Sequence, residues 1–487
     1  MTVREASQPA DEPDKDEKRT RFRRRARIFV GLSLVLSTFY VAFFWFDRLF
    51  VSPQELYRRA FQAVAENIYD QSRLADMSEY KAIYEKEVKT TADAVRYANL
   101  LFKRLDDPFT QMSDAPAVSR REDASKGFYS GVGMVMTAKK RPVKVRMVME
   151  DSPALKAGIK PGDEILFVDG MDCMKIPVSE IGDHTRKHMG ETVHFVLRRA
   201  KKTMNVDLVP SKIRVVKTRT RHLPGDIGYE RIESFVPEDI VTIVQNDLDS
   251  LSDTRALILD MRGNPGGSVD YCLLIASLMM DEGHLVTLKS RVDADHLQTM
   301  EYTLRPDGMK VVTKGTGEKP QEQKIKRRYQ VYGGRPIYVL LDESSASASE
   351  MLAAALRDNK KAIICGTQSF GKGVMQIHYP LPNMTALSIT AGRYFTPAGK
   401  WLGDGKFDPA RAALAAASGS NSAARFDPER GIVPDVVIEP VPDIEYGGPN
   451  DNQLEETARL ARLALEKKAK PAGEQSNISV KKLSIVE

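Results

Sequence analysis

The chain has 487 residues, of which 42% are hydrophobic and 28% are charged, a composition typical of a globular protein with room for two to four domains. Its formal net charge of +6 is concentrated in one cluster, because seven of the ten residues 18–27 (KRTRFRRRAR) are Lys or Arg. The remainder is nearly neutral, so a basic surface of the kind that binds nucleic acid is not expected.

No motif indicates a cofactor or a metal ion. The three cysteines, Cys173, Cys272 and Cys365, are odd in number and follow no recognised spacing, which argues against both a disulfide framework and a metal site. Cys272 and Cys365 stand in apolar runs and are predicted to be buried thiols.

Residues 28–46 (IFVGLSLVLSTFYVAFFWF) follow the basic cluster and contain no charge and no proline. As a helix they would span about 28 Å, close to the thickness of a bilayer core. A buried helix of a soluble core is disfavoured because the segment is apolar on every face. A cleaved signal peptide is disfavoured because the segment ends in Phe43, Phe44, Trp45 and Phe46 rather than in small residues. We expect a retained signal anchor, with residues 1–27 in the cytoplasm and the rest of the chain exported.

The rest of the chain divides into a helical, a β-rich and an α/β region. Between about residues 54 and 106, stretches such as ELYRRAFQAVAENIY place apolar residues three and four apart, which predicts amphipathic helices. Residues 126–212 alternate short strands with Pro/Gly turns such as KAGIKPGDE and contain one predicted helix near 177–188. From residue 213 strands alternate with helices, which predicts an α/β core with a partly parallel sheet. Residues 403–430, rich in Ala, Ser and Gly, are interpreted as an insertion or a flexible loop.

Residues 366–373 (GTQSFGKG) fit seven of the eight positions of the phosphate-binding pattern G-x-x-x-x-G-K-[ST]. Position 373 is Gly, so the hydroxyl that would bind Mg²⁺ is missing. The following segment, VMQIHYPL, is predicted to be a strand, so no helix N-terminus is available for a phosphate. A nucleotide site is therefore disfavoured, and Lys372 needs another explanation.

Residues 344–350 (SSASASE) lie between a predicted strand and a predicted helix. Ser347 and Glu350 fit a capping box, which would be purely structural. A serine at a helix N-terminus is also well placed as a nucleophile, because free N–H groups and the helix dipole stabilise negative charge there.

A serine nucleophile needs a base, and none of the seven histidines stands in a motif with a neighbouring acid. A lysine can act instead if burial lowers its pKa enough to leave a neutral amine. Lys372 lies between two glycines after an apolar strand, which permits close approach and desolvation, although a surface lysine in a hairpin turn would have the same local sequence.

The combined segment 344–376 closely resembles the core motif of the carboxy-terminal processing peptidases, also called tail-specific proteases. Further blocks resemble that family in the same order along the chain. They are LDDPFT (105–110), GVGM (131–134), SPALKAGIKPGDEILFVDG (152–170), IGYERIESF (227–235), LDMRGNPGG (259–267), TAGRYFTPAGKWL (390–402) and GIVPDVVIE (431–439). The resemblance covers roughly residues 100–440, and the stretch 403–430 departs from the short link expected there.

The resemblance implies that Ser347 is the nucleophile, that Lys372 is the general base and that Gln376 orients Lys372. It also implies two oxyanion donors, the Ala348 N–H and an N–H from RGNPGG, for which Gly266 is favoured over Gly267. For Gln376 to reach Lys372 along a strand, the two side chains must lean together or the strand must bulge at Gly371–Gly373; otherwise Gln376 caps a neighbouring carbonyl.

The β-rich region resembles a PDZ module, which would bind an extended C-terminus by β-augmentation. The turn formed by Gly131, Val132, Gly133 and Met134 is the candidate loop for the carboxylate, although it could also be a structural strand start. By resemblance, Arg186 would couple the position of this domain to the active site; a solvated helix arginine is the alternative.

The resemblance implies a multidomain α/β protein with a ClpP/crotonase-like protease core and the activity of a serine endopeptidase acting on polypeptide C-termini. We expect a single-pass protein of the cytoplasmic (inner) membrane, with its catalytic domain periplasmic or extracytoplasmic. We expect no requirement for a nucleic acid, a nucleotide, a cofactor or a metal. An adaptor protein or a second copy of the chain is left open as a partner. The alternative is a catalytically silent PDZ scaffold.

The predicted divisions are a basic tail (1–27), the anchor (28–46), a helical region (48–125), the PDZ domain (126–212), the protease core (213–445) and a C-terminal helix with its tail (446–487).

Overall fold

The protein is described from a computed structural model, which covers residues 51–469 apart from 76, 138–140, 327–331, 333, 407–425, 428 and 443. The predicted basic tail, the anchor at 28–46 and most of the segment 403–430 lie outside the described residues. Among the helices that are described, none has the length and apolar character needed to cross a membrane.

Three helices form the N-terminal region: α1 (Pro53–Asn67), α2 (Met77–Glu87) and α3 (Thr91–Phe102). Helix α1 begins at an N-cap serine followed by proline, and α3 begins at a capping box of Thr90 and Asp93. The buried faces of α1 and α3 pack in one hydrophobic cluster with Leu387 and Ile389. Because these two residues belong to a strand of the later core, the helical region is part of the same packed body. A short strand β1 (Gln111–Ser113) and helix α4 (Ala115–Ser125) follow.

The β-rich region begins and ends in one pair of antiparallel strands. Strands β2 (Phe128–Gly131) and β9 (Ser211–Arg214) are paired, so the region is inserted through a two-stranded neck. Its remaining elements are β3 (Met134–Met136), β4 (Val143–Val148), α5 (Pro153–Lys156), β5 (Glu164–Val168), β6 (Met171–Asp172), α6 (Val178–Lys187), β7 (Val193–Arg199) and β8 (Lys202–Leu208). They enclose a separate hydrophobic cluster that includes Val143, Ile165, Ile181 and Phe195, which confirms a compact β-rich unit with one long helix.

The α/β core contains a six-stranded sheet in the order β10–β11–β12–β17–β18–β21, in which only β10 is antiparallel to its neighbour. These strands are β10 (Thr218–Leu223), β11 (Ile227–Ile232), β12 (Ala256–Asp260), β17 (Ile337–Leu341), β18 (Ala362–Gly366) and β21 (Val436–Val437). Strand β12 is buried along its whole length, with Leu257 and Leu259 on one face and Ile258 on the other. The partly parallel sheet is confirmed.

Helices cover both faces of this sheet. The first face packs against α7 (Ile240–Ser250), α8 (Val269–Met279) and α9 (Ala348–Asp358). The second face packs against α10 (Asn452–Ala469), through Leu454, Ala458, Ala461 and Leu465.

A second, antiparallel sheet lies beyond α8 and α9, because a single hydrophobic cluster joins residues of both sheets with these helices. Its order is β1–β20–β13–β14–β15–β16, and β19 pairs with β20. Its strands are β13 (Gly283–Arg291), β14 (Leu297–Arg305), β15 (Gly308–Gly315), β16 (Gln321–Lys326), β19 (Val374–Leu381) and β20 (Thr385–Phe395). The nucleophile candidate therefore begins a helix of the inner layer, while the base candidate lies at the start of this second sheet.

A buried ion network fixes α10 to the end of β12. The guanidinium of Arg262 has no solvent exposure and donates to both carboxylate oxygens of Asp260 and of Asp451, and to Gln453. Burial alone would raise the pKa of Asp260, but Arg262 and Arg231 hold it below its usual range. The turn that follows, Gly263 to Gly267, is thus held by a fully paired charge cluster.

A second buried carboxyl, that of Glu230 on β11, gives a prediction about stability. Burial and the neighbouring Asp247 raise the pKa of Glu230 to about 9. Its carboxyl accepts a hydrogen bond from the Thr220 hydroxyl, and the raised pKa keeps it protonated at neutral pH. Because the unfolded chain would ionise near pH 4.5, stability should fall as pH rises between about 4.5 and 9, by at most about 1.4 kcal/mol per pH unit.

The variant Glu230→Gln keeps the shape of a neutral carboxyl but cannot ionise. We expect a smaller loss of Tm between pH 5 and pH 8.5 than in the unaltered protein, measured by differential scanning calorimetry. The exposed Glu322→Gln serves as the control and should leave the slope unchanged. Equal slopes in the unaltered protein and Glu230→Gln would show that Glu230 does not hold its proton in the fold.

Candidate active site

Ser347 lies at the junction of β17 and α9, where the chain turns sharply into the helix. Its backbone has φ 56° and ψ −115°, a conformation that a non-glycine residue rarely adopts and that costs on the order of 1–3 kcal/mol. Ser347 is only half-buried, whereas Ala346 and Ala348 beside it are buried. The strained turn therefore presents the hydroxyl-bearing residue at the start of a helix, where the first N–H groups have no partner within the helix.

Glu350 connects the nucleophile turn to the loop that carries Lys372. Its buried carboxylate accepts hydrogen bonds from the Ser347 N–H at 2.8 Å and the Lys372 N–H at 2.8 Å through Oε2. Through Oε1 it accepts from the Gly371 N–H at 2.6 Å and the Ser369 hydroxyl at 2.5 Å. The predicted capping contact between Glu350 and Ser347 is present, and the same carboxylate also holds the base loop against the nucleophile turn.

Two glycines allow the loop around Lys372 to pack closely against Leu402, Gly403 and Arg430. A methyl group on Gly371 (φ 86°) would come within 2.4 Å of the Arg430 side chain, and one on Gly373 would come within 2.9 Å of the Leu402 amide. The Gly373 N–H donates to the Gly403 carbonyl at 2.7 Å. The close approach expected of a glycine-flanked lysine is confirmed.

Lys372 is half-buried, as Ser347 is. Burial lowers the pKa of its amine, while the nearby Asp107 carboxylate acts in the opposite direction. Its Nζ lies 4.6 Å from the centre of the Phe109 ring and donates to Gln376 Oε1 at 2.6 Å. Among the described residues, no hydrogen bond joins Lys372 Nζ to Ser347 Oγ.

Gln376 reaches Lys372 because strand β19 is irregular. Pairing between β19 and β20 shifts register between Met375 and Gln376, at least two residues after the expected bulge at Gly371–Gly373. Gln376 also donates from Nε2 to the Phe109 carbonyl at 2.8 Å, so it both contacts the lysine and caps a carbonyl. The amide orientation is thereby fixed, with its oxygen toward Lys372.

We expect Gln376→Ala to lower kcat by about 10-fold to 100-fold with little change in KM, because the amine of Lys372 loses the acceptor that positions it. The companion variant Gln376→Glu keeps an acceptor but adds a negative charge, which should raise the pKa of Lys372 and move the acid limb of the pH–kcat profile upward. Full turnover in Gln376→Ala, or an unmoved acid limb in Gln376→Glu, would remove Gln376 from the mechanism.

Gly266 lies directly against the nucleophile turn. A methyl group built on it would be 2.8 Å from Ser347 Cβ and 2.9 Å from the Ala348 amide nitrogen, whereas one on Gly267 would overlap the Phe235 backbone. The Gly266 N–H donates to Asn264 Oδ1 at 2.9 Å in this conformation. Gly266 and Ala348 are therefore adjacent as predicted. To donate to an oxyanion, however, the Gly266 N–H must first give up its hydrogen bond to Asn264.

The candidate carboxylate loop, Gly131 to Met134, joins β2 to β3. A methyl group on Gly133 (φ 82°) would overlap the Ser152 side chain, so glycine is required there by packing. Arg186 lies on α6 and pairs with Asp183 of the same helix at 2.7 Å. None of its contacts within the described part of the chain reaches Ser347, Lys372 or Gln376, so its coupling role stays a prediction.

Two contacts were not expected from the sequence. Phe109 supplies a carbonyl to Gln376 and a ring to Lys372, although it is more than 260 residues away from both along the chain. Asn264 accepts from the Gly266 amide, and its carbonyl accepts from the Ala346 N–H at 3.0 Å. The only signal for these residues was that each stands in a block of family resemblance.

A serine on a strained strand-to-helix turn, a half-buried lysine tied to the same carboxylate and an inserted β-rich domain are the features expected of a serine-type peptidase with a PDZ domain. The model of "Peptidase family S41" matches residues 226–410, and the model of "PDZ domain" matches residues 119–198. The chain therefore contains a peptidase family S41 domain and a PDZ domain, and it is similar to carboxy-terminal processing proteases.

Similar proteins support this assignment. A "Carboxy-terminal-processing protease" of Bartonella bacilliformis is 32% identical over 301 residues, which cover 60% of this chain and 63% of that protein. A "Carboxyl-terminal-processing protease" of Picosynechococcus sp. is 26% identical over 388 residues, which cover 77% of this chain and 86% of that protein. The solved structure of a "Photosystem II D1 C-terminal processing protease" shares the fold, with a TM-score of 0.52 at 23% identity, over 85% of this chain and 98% of that one.

Proposed function

We propose that the chain is an endopeptidase that cleaves polypeptides near their C-terminal ends, with Ser347 as nucleophile and Lys372 as general base. The observation that carries this proposal is the single carboxylate of Glu350, which binds the backbone of both residues. A purely structural helix cap would need only the contact to Ser347. The additional contacts to the Gly371 and Lys372 amides support a role in holding the lysine loop against the serine turn.

The chemistry begins with a neutral Lys372 amine, which burial favours. Lys372 takes the proton of the Ser347 hydroxyl as Oγ bonds to the peptide carbonyl carbon. The C–N bond then breaks, and Lys372 returns the proton to the leaving amine. Lys372 next takes a proton from water, the hydroxide oxygen attacks the ester carbonyl, and the acid product leaves as the proton returns to Ser347. The Nζ of Lys372 must turn from Gln376 toward Ser347 for the first transfer.

The negative charge that forms on the carbonyl oxygen needs donors that are already in place. Ala348 supports this role because it is the first residue of α9 and its N–H has no intrahelical partner. Gly266 is the second donor in this proposal once its amide leaves Asn264. Both groups stand beside Ser347, which is the geometry that an oxyanion site requires.

The PDZ domain would select substrates by their free C-terminus, with the turn from Gly131 to Met134 receiving the carboxylate. Residues 28–46 would anchor the protein in the cytoplasmic membrane and hold the catalytic region on its outer side; the basic residues 18–27 before an apolar segment support this part of the proposal. Arg186 would couple PDZ position to the active site.

The test is cleavage of one unstructured polypeptide in two forms, with a free C-terminus and with an amidated one. We expect the full chain to release fragments from both forms, faster from the free form, as measured by mass spectrometry over time. No fragments from either form would favour a silent PDZ scaffold over a peptidase. Equal rates would leave the peptidase intact but remove recognition of the C-terminal carboxylate.

A further inference from the structure

The fold brings together, in the PDZ domain, three side chains of types that bind metal ions. No sequence motif contains all three of them. His184 lies on α6, His188 is its C-cap residue one turn later, and Asp169 lies in the tight turn between β5 and β6. One ligand atom from each of the three lies within 4.8 Å of the others. In the described part of the chain, no other group of three such residues is this close.

Hydrogen bonds already orient these side chains as they would be oriented around an ion. His188 Nδ1 lies 2.9 Å from the His184 carbonyl and donates to it, which leaves Nε2 with an available lone pair. Asp169 accepts from the His194 backbone N–H at 2.8 Å through Oδ1 and lies 2.6 Å from His184 Nε2 through Oδ2. A backbone carbonyl on the far nitrogen of a histidine, and a donor on the far oxygen of a carboxylate, are the outer contacts typical of metal ligands.

The chemistry of the three ligands favours zinc. Two imidazole nitrogens and one carboxylate oxygen match the ligands of Zn²⁺, whereas Ca²⁺ and Mg²⁺ prefer oxygen ligands alone. All three side chains are at least partly exposed, so an ion can enter from solvent. Binding would replace the proton now shared between His184 Nε2 and Asp169 Oδ2.

We propose that Asp169, His184 and His188 form a Zn²⁺ site, with His184 Nε2, His188 Nε2 and an Asp169 oxygen as protein ligands and water in the remaining position. Two other histidine–aspartate pairs of the described chain lack a third metal-binding side chain nearby. They are His222 with Asp253 and His296 with Asp293, and both pairs are exposed.

The site would have a consequence for the domain that contains it. Helix α6 contacts β2, the strand that leads into the candidate carboxylate loop. An ion at the C-terminal end of α6 would tie that helix to the β5–β6 turn and so fix one element beside the loop. This consequence rests on the proposed role of the PDZ domain; binding of the ion does not.

Isothermal titration of the full chain with Zn²⁺ tests the site. We expect one Zn²⁺ per chain, unchanged binding in the matched control His222→Ala and at least a tenfold loss of affinity in both His184→Ala and His188→Ala. Absence of binding to the unaltered protein, or unchanged affinity in both variants, would overturn the proposal.

Titration of the unaltered chain with Co²⁺ provides a measurement that does not depend on whether the variants fold. Two imidazoles and a carboxylate around Co²⁺ in a four-coordinate site should give strong visible d–d absorption that saturates at one ion per chain and disappears when Zn²⁺ is added. A weak spectrum of the hexaaqua kind, unaffected by Zn²⁺, would contradict the site. Thermal unfolding of His188→Ala without metal, or of His188→Gln if the alanine variant is unstable, should match the unaltered protein.

Discussion

Replacement of Lys372 is expected to abolish peptide hydrolysis, by about 10⁴-fold or more in kcat/KM for both Lys372→Ala and Lys372→Arg. The alanine variant removes the proposed base, and losses of this size are typical when one member of a nucleophile–base pair is removed. The arginine variant is the more informative of the two. Arginine keeps a positive charge over the Phe109 ring but cannot be deprotonated. The variant therefore distinguishes a Lys372 that acts as a base from a Lys372 that only supplies a positive charge.

The pH profile of the unaltered protein follows from the same residue. Burial lowers the pKa of Lys372 below that of an exposed lysine, and only the neutral amine can accept the proton of Ser347. Activity should therefore be greatest above this pKa and should fall as pH decreases through it, since the amine becomes protonated. Steady-state measurement of kcat as a function of pH records this fall on the acidic side of the profile, the acid limb.

Lys406→Met is the control for both experiments. Lys406 is half-exposed and pairs with the Asp106 side chain, near the base loop but outside the proposed mechanism. It should retain the rate and the acid limb of the unaltered protein. An active Lys372→Arg, or an acid limb that persists unchanged in a partly active Lys372 variant, would contradict the role of Lys372 as base.

Ser347→Ala is expected to remove hydrolysis to a similar extent, again about 10⁴-fold or more, because no oxygen remains to form the acyl-enzyme. The fold should be kept, since alanine and serine are strained alike at φ 56° and the hydrogen bonds of the Ser347 N–H to Glu350 and of the Ser347 carbonyl to Tyr394 do not need the hydroxyl. Equal Tm values would establish this point.

Ser344→Ala provides a matched control three residues earlier in the same serine-rich turn. The Ser344 backbone N–H bonds Asp342, and its hydroxyl makes no hydrogen bond among the described residues, so activity should be kept. Loss of activity in Ser344→Ala with full activity in Ser347→Ala would place the nucleophile elsewhere. Comparable loss in both would indicate a requirement for the shape of the turn rather than for one hydroxyl.

The sequence predicted the elements that periodicity and composition determine. Buried and largely apolar strands such as Ala256–Asp260 and Ile337–Leu341 were expected, and they belong to the parallel part of the sheet. The antiparallel strands of residues 283–326 were not, because half-exposed strands such as Leu297–Arg305 mix polar and apolar residues and are stabilised by their neighbours in the sheet.

The site was predictable where it depends on local sequence and unpredictable where it depends on folding. Ser347 and Lys372 stand in loops whose glycines and small residues indicate close backbone approach. Glu350 could be interpreted from sequence only as a helix cap, since its contact with the Lys372 amide joins segments brought together by two different sheets. The Asn264 side chain accepts from the Gly266 N–H two residues later, a local turn contact that Asn-Pro-Gly favours but that was not inferred from the sequence.

Covalent labelling tests the central claim, a serine nucleophile at position 347 activated by the lysine at position 372. The full chain is treated with a fluorophosphonate, and the modified residue is identified by peptide mapping and mass spectrometry. We predict a single phosphonyl adduct on Ser347 in the unaltered protein, strongly reduced in Lys372→Ala and unchanged in Lys406→Met. An adduct on another serine, or equal labelling of Ser347 with and without Lys372, would contradict the account.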